Sequence, residues 1–402
     1  MAADCANLGL AKHEERSYIN ANERLAAIKR AQVWRKTNVA AMNIRLGPQG
    51  EGAFAPDATV TCNYIKATFA GSSPKFGCKF GDDDQVKVRY GRDNNEIFAG
   101  VAATRLLWAL GFGADALYPV HVICHGCPPA LHGEQAAANG EARFDFAAIE
   151  RKMPGRDMEA PSVGPGWAWS ELDLVDERAG GAPRAHRDAL KLLAVMLQHT
   201  DNKAEQQKLL CVDPETPKHK LASCASTFMM IHDVGLTFGT ATLMNSQERS
   251  SANLQEWSRT PMWKDAQHCV GNLPPSQSGS LNNPIISEAG RQFLSGLLAQ
   301  LTDRQIQDLF VAARFAEKPG PDGEGGGSVV DWANAFKKKR EEIAAARCFS
   351  TPGVVNVSST TRMPPAASAA HSATGSGSCG ARTTALTESI CSRPVRDSTR
   401  AR

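Results

Sequence analysis

LKLLAVMLQHTDNKAEQQKLLCV, residues 190–212, followed after a polar loop by FMMIHDVGLTFG, residues 228–239, is the stretch on which the fold turns. Leu190 to Leu197 is almost continuously apolar and too long for an ordinary strand, which predicts a helix buried on most sides. Its end delivers His199-Thr200-Asp201-Asn202-Lys203 into a loop. Leu209–Val212 and Phe228–Ile231 are short apolar runs bounded by turn residues, and they predict two paired strands. The second strand ends at Asp233-Val234-Gly235. Asp201 and Asp233 thus each sit where an apolar run gives way to a polar turn. Aspartate is a common turn former at such places, so it is the joint setting of the two that points to chemistry.

A buried helix, a polar loop with an Asp and a Lys two residues on, a strand pair and then Asp-x-Gly: this order resembles the catalytic half of the protein-kinase-like superfamily. It is closest to the atypical members, the HipA-type kinases and the phosphoinositide lipid kinases, because the full eukaryotic signature is missing. The resemblance implies an α+β protein with a bilobal protein-kinase-like fold, a strand-rich N-lobe and a mostly helical C-lobe. It implies ATP and Mg²⁺ as cofactors. Asp201 would take the acceptor's hydroxyl proton, Lys203 would neutralise charge on the transferred phosphoryl group, and Asp233 would hold Mg²⁺ against the phosphates. Kinases usually carry a metal-binding Asn five residues after the catalytic Asp. Here that position is Gln206, the same amide oxygen on a stem one methylene longer.

Upstream, residues 1–46 read as a helical extension, with a peripheral helix over 12–42, and residues 47–155 as the strand-rich nucleotide-binding lobe. Ala58–Tyr64 and Gln85–Tyr90 are strand-like, the latter alternating cleanly with Val86, Val88 and Tyr90 on one face and Lys87 and Arg89 on the other. Between them Gly71-Ser72-Ser73-Pro74-Lys75 offers small residues, Ser72 and Ser73 among them, suited to cover phosphates. Lys87 is the expected phosphate ligand. The periodic run Asn95–Leu110 predicts a helix ending at Gly111, and Glu96 is the acidic residue in it that could orient Lys87. Gly100 stands where a more central partner would be. Tyr118–Cys124 and Phe144–Ile149 read as further strands. Glu150 and Lys152 then open a charged, Pro/Gly-terminated hinge, 150–155, where an adenine would bond.

Residues 156–348 read as the helical catalytic lobe. Trp167 and Trp169 are expected packing anchors. Residues 240–284 form a loop-rich segment pinned by Trp257 and Trp263, and 286–315 returns to helix. Gly320–Gly327 is a predicted linker to an amphipathic helix carrying Trp332, Phe336 and Ile343. From 349 to 402 the composition turns to Ser, Thr, Ala and Pro with no apolar period, which predicts a disordered tail.

The chain has 402 residues, 42% hydrophobic and 22% charged, enough for a sizeable core. Its formal net charge of +3 predicts no nucleic-acid partner. The N-terminus lacks a basic region followed by an apolar one, and no run reaches bilayer length, so a cytoplasmic protein without a membrane span is expected. There are 11 cysteines. Cys124-His125-Gly126-Cys127 could be half of a zinc site completed by Cys211, Cys224 or a His, or a redox or disulfide pair, while buried thiols are the general expectation. Two further function classes follow from the same residues. Gln206 and Gly100 suit a pseudokinase-like binding module, and His232-Asp233 with His199 and Asp201 suits a metal-dependent phosphohydrolase, which would need a helix over 226–236. The phosphoryl acceptor, whether protein, lipid head group or small molecule, has no readable code.

Overall fold

The first half of the chain puts its alternating runs into one sheet. In a computed structural model describing residues 18–128, 131, 135–136, 140–239, 251–275, 279–319 and 326–348, β1 (Ala58–Ile65), β2 (Lys75–Phe80) and β3 (Asp84–Tyr90) form an antiparallel meander. β4 (Ala116–His125) pairs antiparallel with β6 (Glu141–Arg151), which also takes the short β5 (Gln135–Ala136). β6 pairs with β3 as well, and β1 runs parallel to β4 from Ala58 opposite Val120 to Asn63 opposite His125. The ring β1-β2-β3-β6-β4 therefore closes. The strands do not make an open lobe; they make a five-stranded barrel, which leaves these five without a free edge.

The side chains on one face of each strand fill that barrel. Phe76, Val86, Val88, Val120, Val122, Phe144 and Ile149 are buried together, with Phe144 against Phe76 at 5.0 Å and Tyr90 at 4.8 Å between ring centroids. Because the side-chain period is two, this places Lys87 and Arg89 of β3 on the outer face.

That outer face is covered by α2 (Asn95–Leu110), capped by Asn94 and ended by Gly111 in the left-handed conformation. Almost all of α2 is buried, so it is a core helix rather than an amphipathic one. The remaining core is built mainly from the second half of the chain, joined by α2 and by residues 19–44 of the N-terminal segment. The second half contributes α3 (Arg184–Leu197), α4 (Leu254–Arg259), α5 (Glu288–Leu298), α6 (Asp303–Ala312) and α7 (Val329–Ala345). Two small sheets join them: β7 (Arg156–Asp157), β8 (Gln207–Cys211) and β9 (Thr227–Ile231) in one, and the pair β10 (Trp263–Asp265) and β11 (Val270–Gly271) in the other. Phe238, Trp257, Phe310, Phe315 and Trp332 meet in one aromatic cluster that ties α4, α6 and α7 together.

Three expectations need correction. The helix predicted over 12–42 is, among the described residues, only α1 (Ala21–Lys29), held by an Asn20–Glu23 capping box. Its continuation is extended instead, since Gln32 donates to Thr227 O and accepts from Met229 N beside β9. Nor is this segment peripheral: Ala27, Ile28, Ala31 and Val33 are fully buried. Finally, the cysteines among the described residues are neither free thiols nor zinc ligands. All eight that lie among the described residues are bonded, as Cys62–Cys78, Cys124–Cys127, Cys211–Cys224 and Cys269–Cys348. No helix among the described residues is long and apolar enough to cross a membrane. The tail 349–402 and most of the predicted linker lie outside the described residues, as do residues 240–250 of the loop-rich segment.

Candidate active site

The two halves of the chain meet at Arg89. This side chain is 3% exposed and lies on the outer face of β3. It sends Nη1 to Glu96 Oε2 in the first turn of α2. Nε and Nη2 donate to Glu150 Oε2 on β6 at 3.3 and 3.2 Å, and Nη2 donates to Asp233 Oδ2 at 2.9 Å. Three carboxylates from three separate elements thus share one guanidinium, the geometry that a planar fork of five donors serves best. Burial disfavours the charge on Arg89, but Asp233, Glu150 and Glu96 more than offset this and raise its pKa.

Lys87, the residue expected to pair with Glu96, does not do so. It lies directly opposite Glu150 in the β3–β6 register, and its Nζ is 2.6 Å from Glu150 Oε1. Glu96 sits too near the start of α2 to reach back that far and meets Arg89 instead. Nor is Glu150 open to an adenine: its carboxylate is 4% exposed and faces Lys87 and Arg89. Burial acts to raise its pKa, yet Arg89, Lys87 and His232 hold it below the usual range. Lys152 is exposed. In the hinge, the Met153 amide donates to Asp115 Oδ1 at 2.8 Å.

Ser73 is buried and donates Oγ–H to Glu96 Oε2 at 2.7 Å, while Lys75 Nζ donates to Ser73 Oγ at 3.1 Å. Burial lowers the pKa of Lys75. For Glu96, burial and the nearby charge of Asp233 raise the pKa against the pull of Arg89. Ser72, Ser73, Arg92, Asn94, Glu96 and Leu236 line a cleft of about 230 Å³.

Asp233 lies two residues beyond the end of β9. Burial works against its ionised form, but Arg89 and the Gly235 amide, which donates to Oδ1 at 3.0 Å, hold the carboxyl well below the usual range. Two glycines allow this turn to press against α2. A Cβ on Gly235 would lie 2.9 Å from Glu96 Cβ, and one on Gly100 would lie 2.8 Å from Leu117 Cδ2, with the Gly235 Cα 4.0 Å away. The absence of a central acidic partner at position 100 thus has a packing reason.

The Asp201 loop is anchored one residue at a time. Gln198 ends α3 in the left-handed conformation, its amide held by Val195 O and Asn272 O. Asn202, wholly buried, donates to His199 O and Leu281 O and accepts from Leu281 N. Asp201 is left partly exposed, with Lys203 Nζ 3.6 Å from Oδ1 and Gln206 Nε2 donating to Oδ2 at 2.6 Å. The carbonyl of Gln206 also accepts from the amides of His232 and Asp233, at 2.7 and 3.2 Å. Gln206 therefore joins the two aspartates. Behind them His199 is fully buried, its ring nitrogens have no hydrogen-bond partner among the described residues, and burial lowers its pKa to about 4.

Residues 227–231 form a strand, where the phosphohydrolase alternative needs a helix. His232 turns its Nδ1 to Asp115 Oδ2 at 2.6 Å. Asp115, Glu150 and His232 each offer a ligand atom within 4.8 Å of the others. All three are already engaged, Glu150 by Lys87 and Arg89, His232 and Asp115 by each other, and Asp115 by the Met153 amide as well, and the neighbouring cations oppose a further positive charge. Arg89, Asp115, Asn202 and Lys75 were not singled out from sequence. Arg89 carried a signal in its place on the same face of the strand as Lys87, and Lys75 in closing the small-residue segment read as a phosphate cover.

No protein family and no curated protein matches this chain. Among solved structures it is similar to a Helicobacter pylori proinflammatory kinase, CtkA. The identity is 10%, the TM-score 0.39, and the match covers 72% of this chain and 95% of that one.

Proposed function

We propose that the chain is an ATP- and Mg²⁺-dependent phosphotransferase of the atypical kinase type, with the barrel and the helical half as its two parts. The observation that carries this reading is the Arg89 cluster together with Gln206. A buried cation from β3 holds a helix glutamate and Asp233, and Gln206 ties the Asp233 turn to Asp201. Turn-forming aspartates would need neither partner.

In this reading Asp201 orients the acceptor hydroxyl and takes its proton, with Oδ2 fixed by Gln206. Lys203 lies close enough to Asp201 to screen charge on the transferred group. Lys87 uses one of its three donor directions on Glu150 and keeps others for phosphate oxygens. Arg89, with every nitrogen engaged, positions Glu96 and Asp233 and contacts no substrate. The donor set fits magnesium. Asp233 is ionised, each of its oxygens accepts one hydrogen bond and retains a lone pair, and Gln206 adds an amide oxygen. Bound there, the cation would neutralise phosphate charge.

The test is the thermal shift of the full chain with ATP, with Mg²⁺ and with both, beside Asp233→Asn. A rise that needs both ligands and vanishes in the variant supports the reading, because ligands that bind the native state raise its stability by mass action. No rise under any condition overturns it. One specific observation favours a second reading: Asp233 Oδ2 is already held by Arg89. A pseudokinase-like nucleotide binder would show a rise with ATP that is indifferent to Mg²⁺.

A further inference from the structure

We infer that this chain folds and acts in an oxidising compartment, outside the reducing cytosol, with four structural disulfides; this replaces the cytoplasmic expectation. Its basis is that the pairing is exhaustive. Every cysteine among the described residues is bonded to another, and the Cα–Cα separations are 5.8, 5.8, 5.9 and 5.3 Å, within the range that a disulfide spans. Cysteines retained only as small apolar core residues have no reason to lie two by two. One unmatched thiol in the core would be the ordinary outcome of burial alone.

The pairs also join unlike places. Cys62–Cys78 crosses two strands inside the barrel, and Cys124–Cys127 closes the end of β4. Cys211–Cys224 staples the loop between β8 and β9, just beyond the strands that carry the Asp201 and Asp233 turns. Cys269–Cys348 spans 79 residues and ties the end of α7 to the β10–β11 hairpin. A chain with so large an apolar core does not need staples to fold, so size does not explain them. Compartment does, since thiols this close stay reduced where glutathione and thioredoxin operate and are oxidised outside it.

Each bridge forms when two thiols lose two electrons and two protons to a disulfide oxidant, either a disulfide-exchange protein or oxidised glutathione. The oxidant's own S–S bond is reduced to two thiols as the new S–S bond forms. The chemistry needs no nucleotide, so the inference stands or falls independently of the phosphotransferase reading.

The experiment compares full-length protein made in a bacterial periplasm, or refolded in a glutathione redox buffer, with the same chain made in a reducing cytosol. Thiols are tagged with a maleimide in denaturant, before and after reduction, and the tags are located by peptide mapping. Mapping separates the eight cysteines from Cys5, Cys379 and Cys391. The expected result is that the eight are untagged before reduction and tagged after it, and that reduction lowers the melting temperature by about 5 °C or more. The Cys269→Ser/Cys348→Ser double variant should lose stability in the oxidised preparation and none in the reduced one. Tagging of the eight without reduction, or equal melting temperatures for oxidised and reduced protein, overturns the inference.

Discussion

The Arg89 cluster and the Asp201 loop are neighbours built on opposite plans. In the cluster every guanidinium nitrogen is engaged and Arg89 and Glu150 are 3% and 4% exposed. In the loop, Asp201 and Lys203 are 27% and 37% exposed and stand 3.6 Å apart. One region has given up solvent for fixed geometry, and the other keeps solvent, and with it access for a reactant. Charge at the first site should therefore govern whether the protein folds, and charge at the second how fast it reacts.

Arg89→Met tests the first half of that contrast and should have the largest effect. Removing the cation leaves Glu150 buried against Lys87 alone and strips Asp233 of its nearest partner. Breaking a buried network by deleting one member costs about 3–5 kcal/mol. Urea unfolding would register it, and a loss under 1 kcal/mol would show that the cluster is loosely made. Asp201→Asn tests the second half. Phosphotransfer should fall roughly 10²–10⁴-fold, while the urea midpoint stays near that of the parent because the loop remains pinned through Asn202.

His199 sharpens the comparison through pH, because it is buried like the cluster yet carries no counter-ion. Its pKa is about 4 in the folded chain, against an ordinary value of 6.5. The unfolded chain thus binds a proton that the folded one refuses, and its contribution is complete above pH 6.5. Stability is lost as pH falls from 6.5 toward 4, at about 1.4 kcal/mol per pH unit once the unfolded histidine is fully charged. Urea midpoints from pH 4.5 to 7 should show this slope in the parent and a smaller one in His199→Phe. Equal slopes would mean that His199 is not held neutral.

What could be read from sequence divides along the same line. The helix at 95–110 declares itself because apolar period and stop signal are local, and the apolar run 190–197 marks the second helix, although not its start at Arg184. Alternation in β3 likewise places Lys87 and Arg89 on one face. Choosing between them required two facts that alternation does not hold: the β3–β6 register, which sets Lys87 against Glu150, and the position of Glu96 in the first turn of α2. Barrel closure was hidden for a similar reason, since it depends on the parallel pairing of β1 with β4, segments that meet only in three dimensions. The extended course of residues 31–34 depends on docking beside β9, and helix propensity in the preceding run gave the opposite answer. Three of the cysteine pairs, 16, 13 and 79 residues apart, are contacts of the same kind, whereas Cys124–Cys127 is local and a disulfide was among the readings its spacing offered.

Lys203→Met should have the smallest effect on folding, and it separates the two plans most cleanly. The Lys203–Asp201 pair is part exposed and loosely spaced, and exposed ion pairs contribute about 0–1 kcal/mol. Urea unfolding of Lys203→Met, Asp201→Asn and the double variant forms a cycle whose coupling should not exceed about 0.5 kcal/mol. In phosphotransfer the same cycle should show strong coupling, because the two residues act on the same reacting group. Strong coupling in stability with none in rate would reverse the assignment, making the loop pair a structural clasp and leaving the reactive carboxylate to be sought elsewhere.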